Sequence, residues 1–134
     1  MATIKNFEEL EIWQLARKLN KDIYPFLRSL AENKNYELNK QLERSTGSIM
    51  DNIAEGFDRD GNREFIQFLA ISKGSAAEVR SQLFRALDRE LIGKDHFEKL
   101  QEDICVIQNK IGRFITYLNS SSIKGKKFIT SSSK

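Results

Sequence analysis

Along residues 10–30 the apolar side chains Leu10, Trp13, Ala16, Leu19, Ile23, Phe26 or Leu27, and Leu30 recur every three or four positions. That spacing lines one face of an α-helix. Asn6 followed three residues later by Glu9 has the form of an N-cap with its reciprocal partner, so the first helix is expected to begin there. Pro25 falls inside the pattern, lacks an amide hydrogen and crowds the carbonyl of Lys21, which predicts a kink rather than a restart. A polar link over 31–36 precedes a second helix over 37–58, whose inner face carries Leu38, Leu42, Ser45 or Thr46, Ile49, Ile53 and Phe57. The turn Asp60, Gly61, Asn62 leads to a third helix over 63–91, apolar in its second half at Val79, Leu83 and Leu87. After Gly93, the positions Phe97, Leu100, Ile104, Ile107, Ile111, Phe114 and Leu118 alternate spacings of three and four. A 3.5-residue period favours nearly parallel packing of long helices, and short links make neighbours antiparallel. Strand patterning is absent. The expectation is an all-α, antiparallel up-and-down four-helix bundle over residues 1–119. Cys105, Val106 and Ile115 widen the fourth apolar band beyond one seam and point to a second contact, within the bundle or with another chain.

The middle of the chain is unusually small and polar. Gly47 and Gly56 each cost about 1 kcal/mol relative to Ala in a helix interior, so close packing is expected to compensate. Counting equal distances from Gly61 brings Asn52 towards 70–72, Ser48 towards Gly74 and Ser75, and Arg44 towards Glu78. This predicts a tight seam with hydrogen bonds from Ser48, Asn52, Ser72 and Ser75, and an Arg44–Glu78 ion pair.

At 134 residues the chain is one domain, long enough to bury a core without disulfides or metal, and its single cysteine excludes an internal disulfide framework. Residues 120–134 form a Ser/Lys-rich tail with Lys124, Lys126, Lys127 and Lys134 and no acid. Its composition cannot build a packed core; Ile123, Phe128 and Ile129 are its only apolar anchors and could dock on a neighbouring subunit. Removing the tail's four lysines from the 22 basic side chains leaves 18 against all 19 acids, so the body is net −1 although the chain is net +3. Attraction to phosphates must then come from the tail or from local clustering. No apolar run approaches the roughly 18 residues of a membrane span, and no charged segment followed by an apolar one opens the sequence. A cytoplasmic location without membrane association is expected.

Counting residues removes several chemistries. A dimetal carboxylate centre needs Glu-x-x-His pairs, and the one histidine, His96, has Gly93 three residues before it, so no metal is expected. Cys105 with a distant His96 is no nucleophile and base pair, and the glycines at 56, 61 and 74 follow no strand, so they form no phosphate or dinucleotide loop. No cofactor and no catalytic residue is predicted. Asp51, Glu55 and Asp58 share one helix surface beside Arg59. The plain reading is a solvated, salt-bridged face; the sharper one groups Asn52, Glu55, Arg59 and Glu64 as a polar cluster at a subunit interface. Lys73 and Arg80, seven apart on one line, and Arg85 and Arg89 beyond them, could grip phosphates, although interspersed Glu78, Asp88 and Glu90 favour ordinary surface charge.

The stretches FEELEIWQLA, SIMDNIAEGF with the following R and REF, and FLAISKGSAAE resemble the bacterial four-helix-bundle family often encoded within intervening sequences of large-subunit ribosomal RNA genes. The resemblance covers roughly residues 7–118, with Asn52, Ile53, Ala54, Glu55, Gly56, Phe57, Arg59, Glu64, Phe65, Gly74, Ser75 and Glu78 matching in turn. It implies an up-and-down bundle assembled as a ring, a homopentamer, with no known enzymatic activity. A related branch contains the accessory variability protein of diversity-generating retroelements, which works with a reverse transcriptase and RNA. Met50 stands where the family often has proline, and Gly61 and Gly93 replace serine caps at a cost of a few tenths of a kcal/mol.

Together these readings describe a non-enzymatic homo-oligomer that binds structured RNA or assists nucleoprotein assembly, with a nucleic-acid-handling protein as a possible partner. The interface and structural set is Ser48, Asn52, Glu55, Arg59, Glu64, Ser75 and Glu78. The nucleic-acid set is Arg44, Arg63, Lys73, Arg80, Lys124, Lys126 and Lys127. The alternative is a protein-interaction scaffold that binds no nucleic acid.

Overall fold

The computed structural model describes residues 2–120 and 129–130. Four helices follow one another: α1 Glu11–Glu32, α2 Tyr36–Phe57, α3 Asn62–Asp88 and α4 Lys94–Ser120. Each packs on its neighbours in sequence, the α2–α3 seam being the most extensive and the α1–α4 seam the least. This is the all-α up-and-down bundle that the apolar periods predict. All seven heptad positions of α4 are buried, from Phe97 to Leu118. Phe57 of α2, Phe65 of α3 and Phe114 of α4 meet edge to face at 5.9 and 5.6 Å, tying three helices at one end.

The start of α1 differs from the sequence expectation. Asn6 N–H does donate to the Glu9 carboxylate at 3.2 Å, but the pair closes only a 3-10 turn over Phe7–Glu9. Leu10 is then extended, and α1 begins at Glu11. The break drops Leu10 into the core and turns Phe7 edge-on to Trp13 at 5.1 Å. Ile12, rather than Trp13, takes the fully buried position. Helix α1 runs unbroken through an exposed Pro25, so it does not restart there.

Two corners share one device. Lys34 and Glu90 adopt left-handed φ values of 66° and 58°. Asn35 N–H then reaches back to Leu30 O at 2.7 Å, and Leu91 N–H to Ala86 O at 2.9 Å, satisfying carbonyls that the helix ends leave open. The second corner stops α3 at Asp88, short of the expected 91, and lets Ile92 turn inward.

The glycines part company. A β-carbon on Gly56 would lie 2.6 Å from Phe68 Cβ and 3.0 Å from Phe65 Cδ1, so α2 and α3 touch closely there. Gly47 would meet only Asp51 Oδ2 at 4.0 Å, and Gly74 nothing within 4 Å. Close packing therefore compensates Gly56 alone within this chain.

One two-residue antiparallel ladder joins β1 Ala2–Thr3 to β2 Ile129–Thr130. It is too short to leave a side-chain alternation in the sequence. Ile129 therefore pairs its backbone with Thr3 of the same chain. Ile123, Lys124, Lys126, Lys127, Phe128 and Lys134 lie outside the described residues.

Gly56→Ala should lower unfolding free energy by about 1–3 kcal/mol in urea titration, from overpacking against Phe68. Gly47→Ala should raise it by about 0.5–1 kcal/mol. Gln82 is buried with Oε1 unpartnered. Gln82→Leu should add about 1 kcal/mol in the same titration, and a loss would contradict that assignment.

Candidate functional site

The polar centre of the molecule lies between α2 and α3. Two residues on α2, Ser48 and Asn52, stand one turn apart, so Asn52 Nδ2 donates to Ser48 O at 2.9 Å and to Ser48 Oγ at 2.8 Å. Ser48 Oγ in turn shares a hydrogen bond with Ser75 Oγ of α3 at 2.8 Å. Deeper still, Ser72 Oγ donates to Ile49 O at 2.7 Å. The equal-distance count about Gly61 is thus realised for Ser48 with Ser75 and for Ser72, whereas Asn52 donates to Ser48 within α2. Gly74, set beside Ser48 by the same count, faces outward instead.

The acidic residues do not join this network. Glu55 accepts from Arg59 Nη2 at 3.3 Å, four residues on and just past the end of α2. The Arg59 guanidinium also lies over the Phe68 ring, 5.1 Å from its centroid. Gly56 gives Phe68 the room to sit there, so Gly56, Phe68 and Arg59 form one stacked unit at the head of the α2–α3 hairpin. Glu64 and Glu78 are exposed. Among the described residues no ion pair joins Arg44 to Glu78, because the two helices spend their contact on hydroxyls and apolar groups and leave both long side chains in water.

Of the basic residues, Arg44, Arg63 and Lys73 are exposed on the surface. Arg80 is not available in the same way. Its Nε donates to Gln101 Oε1 at 3.0 Å and its Nη1 to Gln108 Oε1 at 3.2 Å, while Gln101 Nε2 donates back to Arg80 O at 3.0 Å. Arg80 pins α3 to α4. Arg85 is likewise held, by Gln41 of α2. Lys73 extends over α4 where Gly112 leaves space, its Nζ 3.5 Å from the place a β-carbon would take.

The remaining titratable groups are dispersed. His96 is exposed and stands edge-on to Phe26 at 6.3 Å, and Cys105 is half-buried. Lys99 donates to Asp103 at 2.8 Å, and this hydrogen bond together with the carboxylate charge raises its pKa above the ordinary lysine value. Among the described residues no group of three His, Cys, Asp or Glu side chains is placed to hold a metal ion. No helix among them is long and apolar enough to cross a membrane.

Three features escape the sequence reading. Asn20 Nδ2 donates to Thr46 O at 3.1 Å and Asn39 Nδ2 to Leu27 O at 2.7 Å, bridging α1 and α2. Gln101 and Gln108 are partners of Arg80 rather than solvated side chains. The outer face of α1 carries a basic row, Arg17, Lys21 and Arg28, whose spacing of four and seven was available as a pattern on the face opposite the apolar stripe.

The sequence profile described as "23S rRNA-intervening sequence protein" matches residues 8–113. A crystal structure of a protein of unknown function from the S23 ribosomal protein family of Bacteroides thetaiotaomicron is similar, with a TM-score of 0.74 and 25% identity, over 78% of this chain and 97% of that one. No curated protein matches the chain.

Ser48→Ala and Ser75→Ala should each cost about 1–2 kcal/mol in denaturant titration, and the double variant less than their sum, because either truncation breaks the same bond. Strictly additive losses would show that the two hydroxyls do not interact.

Proposed function

The chain belongs to the 23S rRNA-intervening sequence protein family, and from that premise we propose that it is a non-enzymatic, cytoplasmic bacterial protein that self-assembles into a ring, a homopentamer, and binds structured RNA. The observation that carries the reading is the family match over residues 8–113, joined to the outer surface of α3. That surface exposes Ala70, Ile71, Gly74, Ala77 and Phe84, with Ile71 52% and Phe84 49% exposed. Small and apolar groups in one strip let a second helix approach closely. The predicted interface residues Glu64 and Glu78 border that strip on the same helix.

Assembly matters for RNA binding because the body is net −1. Several copies of Arg44, Arg63 and Lys73 in one ring concentrate positive charge that a single subunit spreads thinly. The lysines at 124, 126 and 127 add to the same field. The alternative, a protein-interaction scaffold, is favoured by one observation, the exposed Phe84 and Ile71 on an otherwise nearly neutral body. A single stoichiometric protein partner retained after nuclease treatment would favour it over RNA.

The wild-type protein should bind a labelled structured RNA hairpin at about 50 mM salt, weakening by one or more orders of magnitude at about 200 mM. No binding at the lower salt would defeat the RNA reading. In light scattering the wild type should exceed a monomer several-fold. Gly74→Arg should reduce it to a smaller species with unchanged helical circular dichroism; a monomeric wild type would defeat the ring.

A further inference from the structure

We propose that the outer face of α1 is the RNA-gripping surface, with Tyr24 as a stacking platform for an unpaired base and Arg17, Lys21 and Arg28 on the flanking phosphates. This rests on the RNA reading above and deepens it by moving the contact from α3 and the tail to α1.

With its apolar stripe turned into the bundle, α1 presents Arg17, Lys21, Tyr24 and Arg28 outward at spacings of four, three and four. Such spacings fall in one line along a helix, here about 17 Å long. All four side chains are exposed, Tyr24 by 56%. Helix α1 holds four basic side chains, the fourth being Lys18, against Asp22 in its middle and Glu11 and Glu32 at its two ends. The helix is net +1 in a body that is net −1, so the rest of the body is net −2. A polyanion would therefore favour the basic row of α1 over the net-acidic remainder of the body.

The row is also held in place. The Arg17 guanidinium lies over the half-buried Trp13 ring at 5.8 Å, which orients it without neutralising it. Lys18 is paired to Asp22 at 2.7 Å and Arg28 to Glu32 at 3.2 Å, both in water, where a phosphate can displace the partner cheaply. Lys21 forms no ion pair among the described residues. An exposed aromatic ring between cations is the arrangement that takes unpaired bases, whose faces stack while their phosphates are neutralised. The α3 row lacks this combination, since Arg80 is held by Gln101 and Gln108.

The test uses the full-length protein and fluorescence anisotropy at about 50 mM salt. Probes are a hairpin RNA with a single-stranded loop, the same stem as a fully paired duplex, and polyglutamate. The triple variant Arg17→Ala, Lys21→Ala, Arg28→Ala should lose at least about tenfold in loop-RNA affinity. Tyr24→Ala should lose about 5- to 150-fold on the loop RNA, little on the duplex, and Tyr24→Phe should restore binding. The triple variant Lys5→Ala, Lys40→Ala, Lys94→Ala, which removes the same charge from exposed lysines elsewhere on the body, is the comparison for unspecific charge loss, and circular dichroism confirms folding of each variant. If the wild type binds the loop RNA while the α1 variants bind as tightly, the inference falls and the RNA reading stands. An equal loss in the Lys5/Lys40/Lys94 variant, or polyglutamate binding that matches the loop RNA, also overturns it. No wild-type binding to either RNA removes the RNA reading itself.

Discussion

The contact on which the rest of the bundle depends is the approach of α2 to α3 at Gly56, where no side chain fits between the helix backbone and Phe68. That approach sets the register of the hairpin. It places Ser48 against Ser75 and Ser72 against the carbonyl of Ile49, so the buried hydroxyls find partners only in this alignment. A slip by one helical turn would leave them unpaired at about 1–3 kcal/mol each. The other helices take their positions from the hairpin. Phe114 brings α4 onto Phe65, Arg80 clamps α3 to α4 through two glutamines, and Asn20 of α1 and Asn39 of α2 each donate to a backbone carbonyl of the other helix.

Wherever the apolar period was long, the fold was legible. The α4 heptad needed no adjustment, and the core faces of α2 and α3 emerged with their hydroxyl pairs because a two-helix hairpin pairs residues by distance from its turn. Boundaries were less legible, for local reasons. Asn6 and Glu9 carry a capping signature that a 3-10 turn satisfies as well as an α-helix does. Lys34 and Glu90 end their helices in a conformation usually marked by glycine, so nothing in their identity signals the corner. Gly47 and Gly74 look like Gly56 in the sequence, and only geometry separates a glycine that is crowded from two that are not.

The candidate surface was harder to read because its members depend on tertiary partners. Arg80 and Lys73 share a helix line, yet two glutamines from α4 engage the first while Gly112 lets the second lie across the same helix. Arg44 and Glu78 fall at matching distances from the turn but remain in solvent. Arg59 pairs with Glu55 as its spacing predicts, while its seat on Phe68 depends on the space at Gly56. The basic row on α1 lies on the face opposite the apolar stripe, where its spacing alone does not distinguish it from an ordinary solvated face.

Because neighbouring helices in the chain are also the most closely packed, most contacts among the described residues join residues that are near in sequence, and the long loops are closed by the thin α1–α4 seam and the two-residue β1–β2 ladder. Chains of this kind have low contact order, and helical bundles with it fold on timescales of about microseconds to milliseconds. The polar hairpin is thus positioned to act as a nucleus, with the α1–α4 closure arriving last and opening first. Chains emerging at high concentration would spend little time with the outer strip of α3 exposed beside an unformed core, which limits the window for unproductive association.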